Sequence, residues 1–316
     1  MKKAILNLRP LEEKHLKKIQ ELAPDYTVVS SLKEAEDRSA IKAVYGWNTE
    51  DGQALIDDSA SDVQWIQLAS AGADYMDFDK LKNQKITLTN ASGIHKFGIA
   101  ESVFGMLLSY TRGIGYSIKM QAQSKWEPIS SGQEMNGKTM LIVGAGEIGQ
   151  QTAKLAQVFG MKTIGVNRSG RSVDYMDEQV TQRNLKEALF KADVVVNILP
   201  LTDETRNLFN LSLFREMKES AVFINVGRGQ TVVTDDLMTA LDEKYLAFAA
   251  LDVVHQEPLP SDHPLYKRED VLLTPHISGN LDAYDESLFA IFEENLKAFA
   301  AGEDLPKNVV DYLAGY

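Results

Sequence analysis

The sequence predicts an α/β protein made of two doubly wound domains, each with a parallel sheet. The length of 316 residues fits two domains of ordinary size. Short apolar runs alternate with amphipathic helical patterns along most of the chain, and this alternation indicates parallel sheets covered by helices on both faces. A glycine-rich turn at residues 144–149 follows the first strand of the second alternating series.

The first series predicts five strands, at residues 4–8, 26–29, 43–47, 63–69 and 86–89. A helix opens at Pro10 and ends before Pro24, and we expect His15 within it to be solvated. One long helix is predicted over residues 99–118 with Gly113 inside it, and residues 126–137 form an irregular surface segment.

The second series predicts a complete dinucleotide-binding domain, because six strands with interleaved helices match the size of that unit. The strands are expected at residues 139–143, 162–166, 193–199, 221–226, 247–253 and 271–274. The helices are expected at residues 147–159, 185–191, 211–217 and 234–243, and a last helix at 284–300 follows the series.

Composition excludes several classes of function. The chain has 45 acidic and 33 basic residues, a formal net charge of −12, so we expect neither nucleic acid nor an anionic membrane surface as a partner. It contains no cysteine, which excludes disulfides, thiol nucleophiles and thiolate metal sites. Five scattered histidines predict no metal site, and the composition favours the cytoplasm.

The turn Gly144-Ala145-Gly146-Glu147-Ile148-Gly149 matches the G-x-G-x-x-G pattern between a strand and a helix. Gly144 permits the tight turn, Gly146 lets the backbone approach a pyrophosphate, and Gly149 lets the helix pack closely on the strand. An ordinary glycine-rich turn is the alternative. The strand–turn–helix context favours dinucleotide binding.

The end of the next strand predicts which dinucleotide is bound. An acid that would hold the ribose hydroxyls of NAD is expected there, but the sequence has Asn167, Arg168, Ser169 and Arg171. Guanidinium groups favour a 2′-phosphate through charge-assisted hydrogen bonds. We therefore expect NADP(H), with NAD(H) as the alternative if both arginines are only solvated.

Three later stretches place Arg228, Glu257 and His276 just after successive strands. Open α/β sheets bind ligands at these strand ends. Each residue alone has a structural alternative: a turn arginine, a glutamate that ends a strand, a buried structural histidine. Together they suit reduction of a ketone, in which a histidine donates the proton and an arginine holds a neighbouring carboxylate.

These stretches and the glycine turn resemble the D-isomer-specific 2-hydroxyacid dehydrogenase family, and the cofactor loop resembles its glyoxylate/hydroxypyruvate reductase branch. The resemblance extends to Ala100-Glu101 and to residues 199–202 and 308–310, and so covers nearly the whole chain. It implies that Arg228 binds the substrate carboxylate, His276 is the acid/base, and Glu257 orients it.

The resemblance also assigns further contacts. Asp252 would contact the nicotinamide carboxamide, and the amides of the loop at residues 70–74, with Ala71 and Gly72, would help to hold the carboxylate. Separately, Trp47 stands at the end of a strand of the first series and is a candidate wall of the substrate pocket, with ordinary core packing as the alternative. Other implied cofactor contacts are Leu199, Pro200, Thr205, Val226 and Gly279.

The implied architecture is a Rossmann cofactor domain, residues 98–282, inserted in a flavodoxin-like substrate domain formed by residues 1–97 and 283–316. A homodimer through the long helix is implied as well. The expected activity is NADPH-dependent reduction of a short 2-oxo acid, glyoxylate or hydroxypyruvate, to the D-2-hydroxy acid.

Other activities stay open. A dehydrogenase of phosphoglycerate or D-lactate is one alternative, and a corepressor-like protein regulated by the dinucleotide is another. Formate oxidation is disfavoured because family members with that activity have glutamine where Glu257 stands. The sequence of residues 90–98 differs from the one that is commoner in the family, so the substrate and the roles of His95 and Lys96 stay open.

Overall fold

A computed structural model describes residues 2–35, 37–129 and 132–313. The chain forms two compact units: Met1–Ile94 with Leu281–Tyr316, and His95–Asn280. Residues 130 and 131, which belong to the irregular segment predicted at 126–137, lie outside the described residues.

The first unit contains a five-stranded parallel sheet in the order β2-β1-β3-β4-β5. Its inner strands are largely buried on both faces, as expected for a parallel sheet between two helical layers. The strands are β1 (Lys3–Asn7), β2 (Tyr26–Val29), β3 (Ile41–Tyr45), β4 (Trp65–Gln67) and β5 (Thr87–Thr89), and the helices are α1 (Glu13–Leu22), α2 (Thr49–Asp57) and α3 (Phe78–Asn83).

The second unit begins with two helices and continues as a seven-stranded parallel sheet in the order β12-β11-β10-β9-β6-β7-β8. The helices are α4 (Lys96–Thr111), α5 (Ile114–Ala122), α6 (Glu147–Val158), α7 (Leu185–Lys191), α8 (Leu211–Phe214) and α9 (Thr234–Asp242). The strands are β6 (Thr139–Val143), β7 (Lys162–Asn167), β8 (Glu178–Thr181), β9 (Val194–Asn197), β10 (Val222–Asn225), β11 (Phe248–Leu251) and β12 (Val271–Leu273).

The last helix, α10 (Tyr284–Ala301), belongs to the first unit. Its Phe292 is fully buried and stacks on Trp65 of β4, with the ring centroids 4.9 Å apart. This helix also buries His15, which is only 3% exposed and stacks on Phe289 at 4.2 Å. The expectation that His15 is solvated is therefore wrong, because α10 covers the face of α1 that carries it.

The single helix predicted over residues 99–118 is two helices. Gly113 has a φ of +67° at the N-terminus of α5, and a left-handed residue cannot continue a right-handed helix. A β-carbon on Gly113 would lie only 2.6 Å from the Ile129 side chain. The glycine therefore separates α4 from α5 and leaves room for Ile129 to pack against it.

Strand β8 is a seventh strand that the sequence did not reveal. It pairs with β7 at the sheet edge and contains one apolar residue, Val180, so it lacks the apolar run by which its neighbours were predicted. No helix among the described residues is both long and apolar enough to cross a membrane.

Candidate active site

The sheet of the second unit changes direction between β6 and β9, which are hydrogen-bonded neighbours although β7 and β8 separate them in sequence. Strands β7 and β8 extend to one side, and β10, β11 and β12 extend to the other. Ligands of open α/β sheets bind outside the carboxyl ends of the strands at such a switch point. The predicted cofactor and catalytic residues of this unit follow β6, β7, β9, β10, β11 and β12.

The glycine turn after β6 has the geometry that a pyrophosphate requires. Gly144 has a φ of +112°, and a β-carbon on Gly149 would lie 2.4 Å from the Gly144 carbonyl oxygen. A β-carbon on Gly146 would meet no atom within 4 Å. A ligand can therefore approach the backbone closely at Gly146. Helix α6 begins directly after this residue, and the free amides of its first turn favour an anion. These residues fit a dinucleotide.

The loop after β7 is held by its own polar groups. The Asn167 side chain donates to the Arg171 carbonyl at 2.7 Å, and the Arg171 amide donates to Ser169 Oγ at 3.2 Å. Gly170 allows the turn with a φ of +69°. Arg168 and Arg171 are exposed at the end of this strand, where the ribose of a dinucleotide bound at the turn is expected.

Arg228 lies between two glycines for a steric reason. A β-carbon on Gly227 would come within 2.6 Å of the Leu199 carbonyl oxygen, and one on Gly229 within 1.9 Å of the Val254 carbonyl oxygen. The loop after β10 is thus pressed between the loops that follow β9 and β11. Backbone on both sides fixes the position from which the partly buried Arg228 side chain extends.

A buried polar network beneath Arg228 is the largest feature that the sequence reasoning missed. Asn197 donates to Asn225 at 2.9 Å and to the Thr231 hydroxyl at 2.7 Å, and that hydroxyl donates to the Arg228 carbonyl at 2.6 Å. All three side chains are at most 1% exposed. The signal was the asparagine at the end of both β9 and β10, since a buried asparagine must find hydrogen-bond partners.

His276 and Glu257 form a hydrogen-bonded pair. The distance from His276 Nδ1 to Glu257 Oε2 is 2.7 Å, and the other carboxylate oxygen accepts from the Val254 amide at 3.0 Å. An ionised carboxylate only accepts, so Nδ1 carries the hydrogen and Nε2 is left for proton exchange with a ligand. His276 has a φ of +54°, an uncommon conformation for a residue with a side chain.

Asp252 organises the loop that carries His276. Its buried carboxylate accepts hydrogen bonds from the Thr274 hydroxyl at 2.6 Å, the Ile277 amide at 2.9 Å, and both the amide and the hydroxyl of Ser278 at 3.1 and 2.5 Å. The carbonyl of Asp252 accepts from the His276 amide at 2.9 Å. These bonds use the accepting capacity of a carboxylate, so the contacts support a role in loop geometry. The predicted contact with nicotinamide stays a prediction.

The remaining predicted cofactor residues of this unit lie in the same set of loops. Thr205 closes the segment after β9 by donating to the Pro200 carbonyl at 2.7 Å. Val226 is buried directly after β10, and Gly279 lies within the loop after β12.

The two residues left open by the sequence also belong to this unit. His95 Nδ1 lies 2.8 Å from the Gly279 carbonyl oxygen, and the Lys96 ammonium lies 3.1 Å from Glu147 on the first turn of α6. Both side chains therefore contact predicted cofactor loops. Within the described parts of the chain, no group of three or more His, Asp or Glu residues is arranged to hold a metal ion.

The predicted substrate residues Trp47, Ala71 and Gly72 belong to the first unit, at the carboxyl ends of β3 and β4. The Trp47 ring lies against α2, where a β-carbon on Gly52 would come within 2.6 Å of it. The carbonyls of Ala71 and Gly72 accept bonds from Asn90 at 2.9 Å and Ser70 at 2.7 Å.

The chain is similar to known proteins over most of its length. The sequence profile of the D-isomer specific 2-hydroxyacid dehydrogenase, NAD binding domain, matches residues 104–278. The chain is 34% identical over 281 residues to a glyoxylate reductase of Thermofilum pendens, which covers 87% of this chain and 82% of that protein.

Two solved structures extend the comparison to almost the whole chain. A phosphoglycerate dehydrogenase from Lactobacillus plantarum is 36% identical with a TM-score of 0.59, covering 98% of this chain and 100% of that one. An NADPH-dependent glyoxylate/hydroxypyruvate reductase from Sinorhizobium meliloti, in complex with NADP and sulfate, is 26% identical with a TM-score of 0.82 and full coverage of both chains. This protein belongs to the D-isomer specific 2-hydroxyacid dehydrogenase family.

Proposed function

We propose that this protein is an NADPH-dependent reductase that converts a short 2-oxo acid to the D-2-hydroxy acid. The observation that carries the proposal is the His276–Glu257 pair, joined at 2.7 Å on the strand ends that follow a dinucleotide turn. An imidazole held by a carboxylate at that edge is an acid/base next to a redox cofactor. The nicotinamide, when bound, supplies the hydride.

His276 provides the proton in this reaction. Negative charge develops on the ketone oxygen as hydride reaches the carbon, and a proton donor at that oxygen lowers the barrier. The bond from Nδ1 to Glu257 fixes the ring so that Nε2 is left for the substrate.

Arg228 holds the substrate carboxylate. A guanidinium and a carboxylate form two parallel hydrogen bonds, which orients the neighbouring ketone as well as binding the acid. The backbone amides of the loop at residues 70–74 are proposed to assist, and Asn90 and Ser70 hold this loop through two of its carbonyl oxygens. Trp47 is proposed as a pocket wall.

NADPH is the proposed cofactor, with NADH as the alternative. The exposed Arg168 and Arg171 stand where a carboxylate would hold the ribose hydroxyls of NAD. The similar reductase from Sinorhizobium meliloti is in complex with NADP, which supports the same preference here. Asp252, Leu199, Pro200, Thr205, Val226 and Gly279 remain proposed cofactor contacts.

Glyoxylate and hydroxypyruvate are the proposed substrates, supported by the reductases named above. Phosphoglycerate or D-lactate dehydrogenase activity remains the alternative within the family, and one similar structure is a phosphoglycerate dehydrogenase. We also propose a cytoplasmic location, supported by a chain without cysteine.

A turnover assay tests the proposal. NADPH oxidation is followed at the absorbance of the reduced cofactor with glyoxylate, hydroxypyruvate, pyruvate and 3-phosphohydroxypyruvate as separate substrates. We expect the highest kcat/KM with one of the first two. A preference for the phosphorylated acid would assign the alternative enzyme. Tight NADPH binding without oxidation by any acid would instead favour the corepressor-like alternative.

A homodimer is the proposed assembly. Helix α5 and the segment after it expose a series of large apolar side chains, an unusual surface for a monomer. Their exposed fractions are 48% for Ile114, 39% for Tyr116, 61% for Ile118, 99% for Trp126 and 37% for Ile129.

A further inference from the structure

His95 joins the beginning of α4 to the loop that carries His276. It directly precedes α4, and its Nδ1 lies 2.8 Å from the Gly279 carbonyl oxygen. The ring packs against this glycine, since a β-carbon on Gly279 would come within 3.4 Å of the same nitrogen. These two positions are separated by 184 residues in sequence, so the bond is a tertiary contact.

The chemistry of this bond fixes the state of the ring. A carbonyl oxygen only accepts, so Nδ1 must carry the hydrogen. Burial lowers the pKa of His95, and the Arg228 guanidinium lowers it further, although the bond to Gly279 acts in the opposite direction. The lowered pKa favours the neutral form of the ring, in which Nδ1–H is the donor to the Gly279 carbonyl.

The loop that carries His276 is held by two separate parts of the chain. That residue has a φ of +54°, and such a conformation persists only where the surroundings determine it. Asp252 holds residues 274, 277 and 278 from the loop after β11. His95 holds Gly279 from a different element, α4.

We propose that His95 is a positioning residue for the reaction: its Nδ1–H holds the Gly279 carbonyl and thereby keeps the segment at residues 276–279 in the conformation that presents His276. The proposal rests on the proposed function for its catalytic consequence, but not for the loop geometry. His95 acts through His276 and is not itself assigned to the reacting atoms.

The test compares three variants. His95→Asn keeps an N–H donor close to the place of Nδ1, whereas His95→Leu fills the space without a donor. His263→Leu is the matched control, because His263 Nδ1 also bonds a backbone group of the same unit, accepting from the Leu265 amide at 3.2 Å. Where His95→Leu does not fold, His95→Gln replaces it. The glutamine amide is one bond farther from the backbone than Nδ1, so it should not donate to the Gly279 carbonyl in the same way.

Two measurements are made on each full-length variant. Hydrogen–deuterium exchange of the peptide spanning residues 274–282 reports loop opening, and kcat with the best 2-oxo acid reports the presentation of His276. We expect His95→Leu to exchange faster and to lower kcat about 10- to 100-fold, as small misplacements of catalytic groups do. His95→Asn and the control should stay near wild type in both.

The outcomes separate the two proposals. Unchanged exchange in His95→Leu overturns the positioning role, whether or not kcat falls, and so does a failure of His95→Asn to restore wild-type exchange. If the wild-type protein turns over no 2-oxo acid, the proposed function fails, and the exchange measurement still decides whether His95 holds the loop.

Discussion

At the scale of single residues, His276 is the side chain whose loss should affect chemistry and little else. We expect His276→Ala to lower kcat by about 10²- to 10⁴-fold, the usual contribution of a positioned acid/base. The ring is 54% exposed, so truncation leaves no buried cavity and the fold should be unaffected.

Steady-state kinetics and NADPH titration by fluorescence check this prediction together. Affinity for NADPH should stay within a few-fold of wild type. His255→Ala is the control, because His255 is an exposed histidine that is not among the proposed catalytic residues Arg228, Glu257 and His276. A His276→Ala variant with wild-type kcat would remove His276 from the mechanism.

A second residue-scale prediction concerns cofactor choice. Arg168→Ala should lower the ratio of kcat/KM for NADPH to that for NADH by about 10-fold or more, since a charge-assisted hydrogen bond contributes about 1.5–3 kcal/mol. The chemistry should be intact, so kcat at saturating NADPH should change little.

The matched control for cofactor choice is Arg183→Ala. Arg183 is also exposed, but it follows β8 and lies outside the loop after β7 that carries Arg168. It should leave the ratio unchanged. A wild-type enzyme that prefers NADH would contradict the assignment before any variant is made.

Single residues also show why sequence reasoning fails where it does. His15 was expected in solvent because α1 was considered alone, but Phe289 of α10 stacks on it from 274 positions away, at 4.2 Å. Arg228, Glu257 and His276, by contrast, each follow a recognisable strand, and parallel strands bring their carboxyl ends to one edge. Local patterns predict such edges, but they do not predict which distant element covers a helix face.

At the scale of elements, two glycines in the turn between β6 and α6 have different roles: Gly149 is needed for packing, and Gly146 for the approach of the cofactor. A β-carbon on Gly149 would lie 2.4 Å from a backbone carbonyl, whereas one on Gly146 would meet nothing within 4 Å. We therefore expect Gly149→Ala to destabilise the protein by about 1–3 kcal/mol, the usual cost of overpacking. Gly146→Ala should keep the wild-type stability and weaken NADPH binding.

Chemical denaturation and NADPH titration of both variants measure the two effects. Helix propensity acts in the opposite direction, because alanine is favoured over glycine by about 1 kcal/mol inside a helix. A Gly149→Ala variant more stable than wild type would mean that the backbone contact relaxes. Wild-type NADPH affinity in Gly146→Ala would show that no phosphate approaches there.

The element boundaries show a second limit of sequence reasoning. Apolar residues recur at helical spacing over residues 99–118, and this periodicity alone gave no reason to end the helix at Gly113. The reason is the positive φ of that residue together with Ile129 packed against it, a contact made by a segment without regular structure. Edge strand β8 was missed because an edge strand needs few apolar residues.

At the scale of the whole molecule, the apolar surface of α5 tests the proposed dimer. Ile118 is 61% exposed, and an aspartate there would place a charge in an apolar interface. Sedimentation equilibrium of the wild-type protein should give twice the chain mass of 35.1 kDa, and Ile118→Asp should shift the equilibrium towards 35.1 kDa.

The control for the dimer is Val158→Asp, since Val158 is 79% exposed at the end of α6 and outside the proposed interface. It carries the same added charge and should leave the mass at the dimer value. If the wild-type protein sediments as a monomer at micromolar concentration, the proposed dimer is wrong and the apolar surface of α5 is not a dimer interface. If both variants dissociate the dimer, added charge rather than position is responsible, and the interface lies elsewhere.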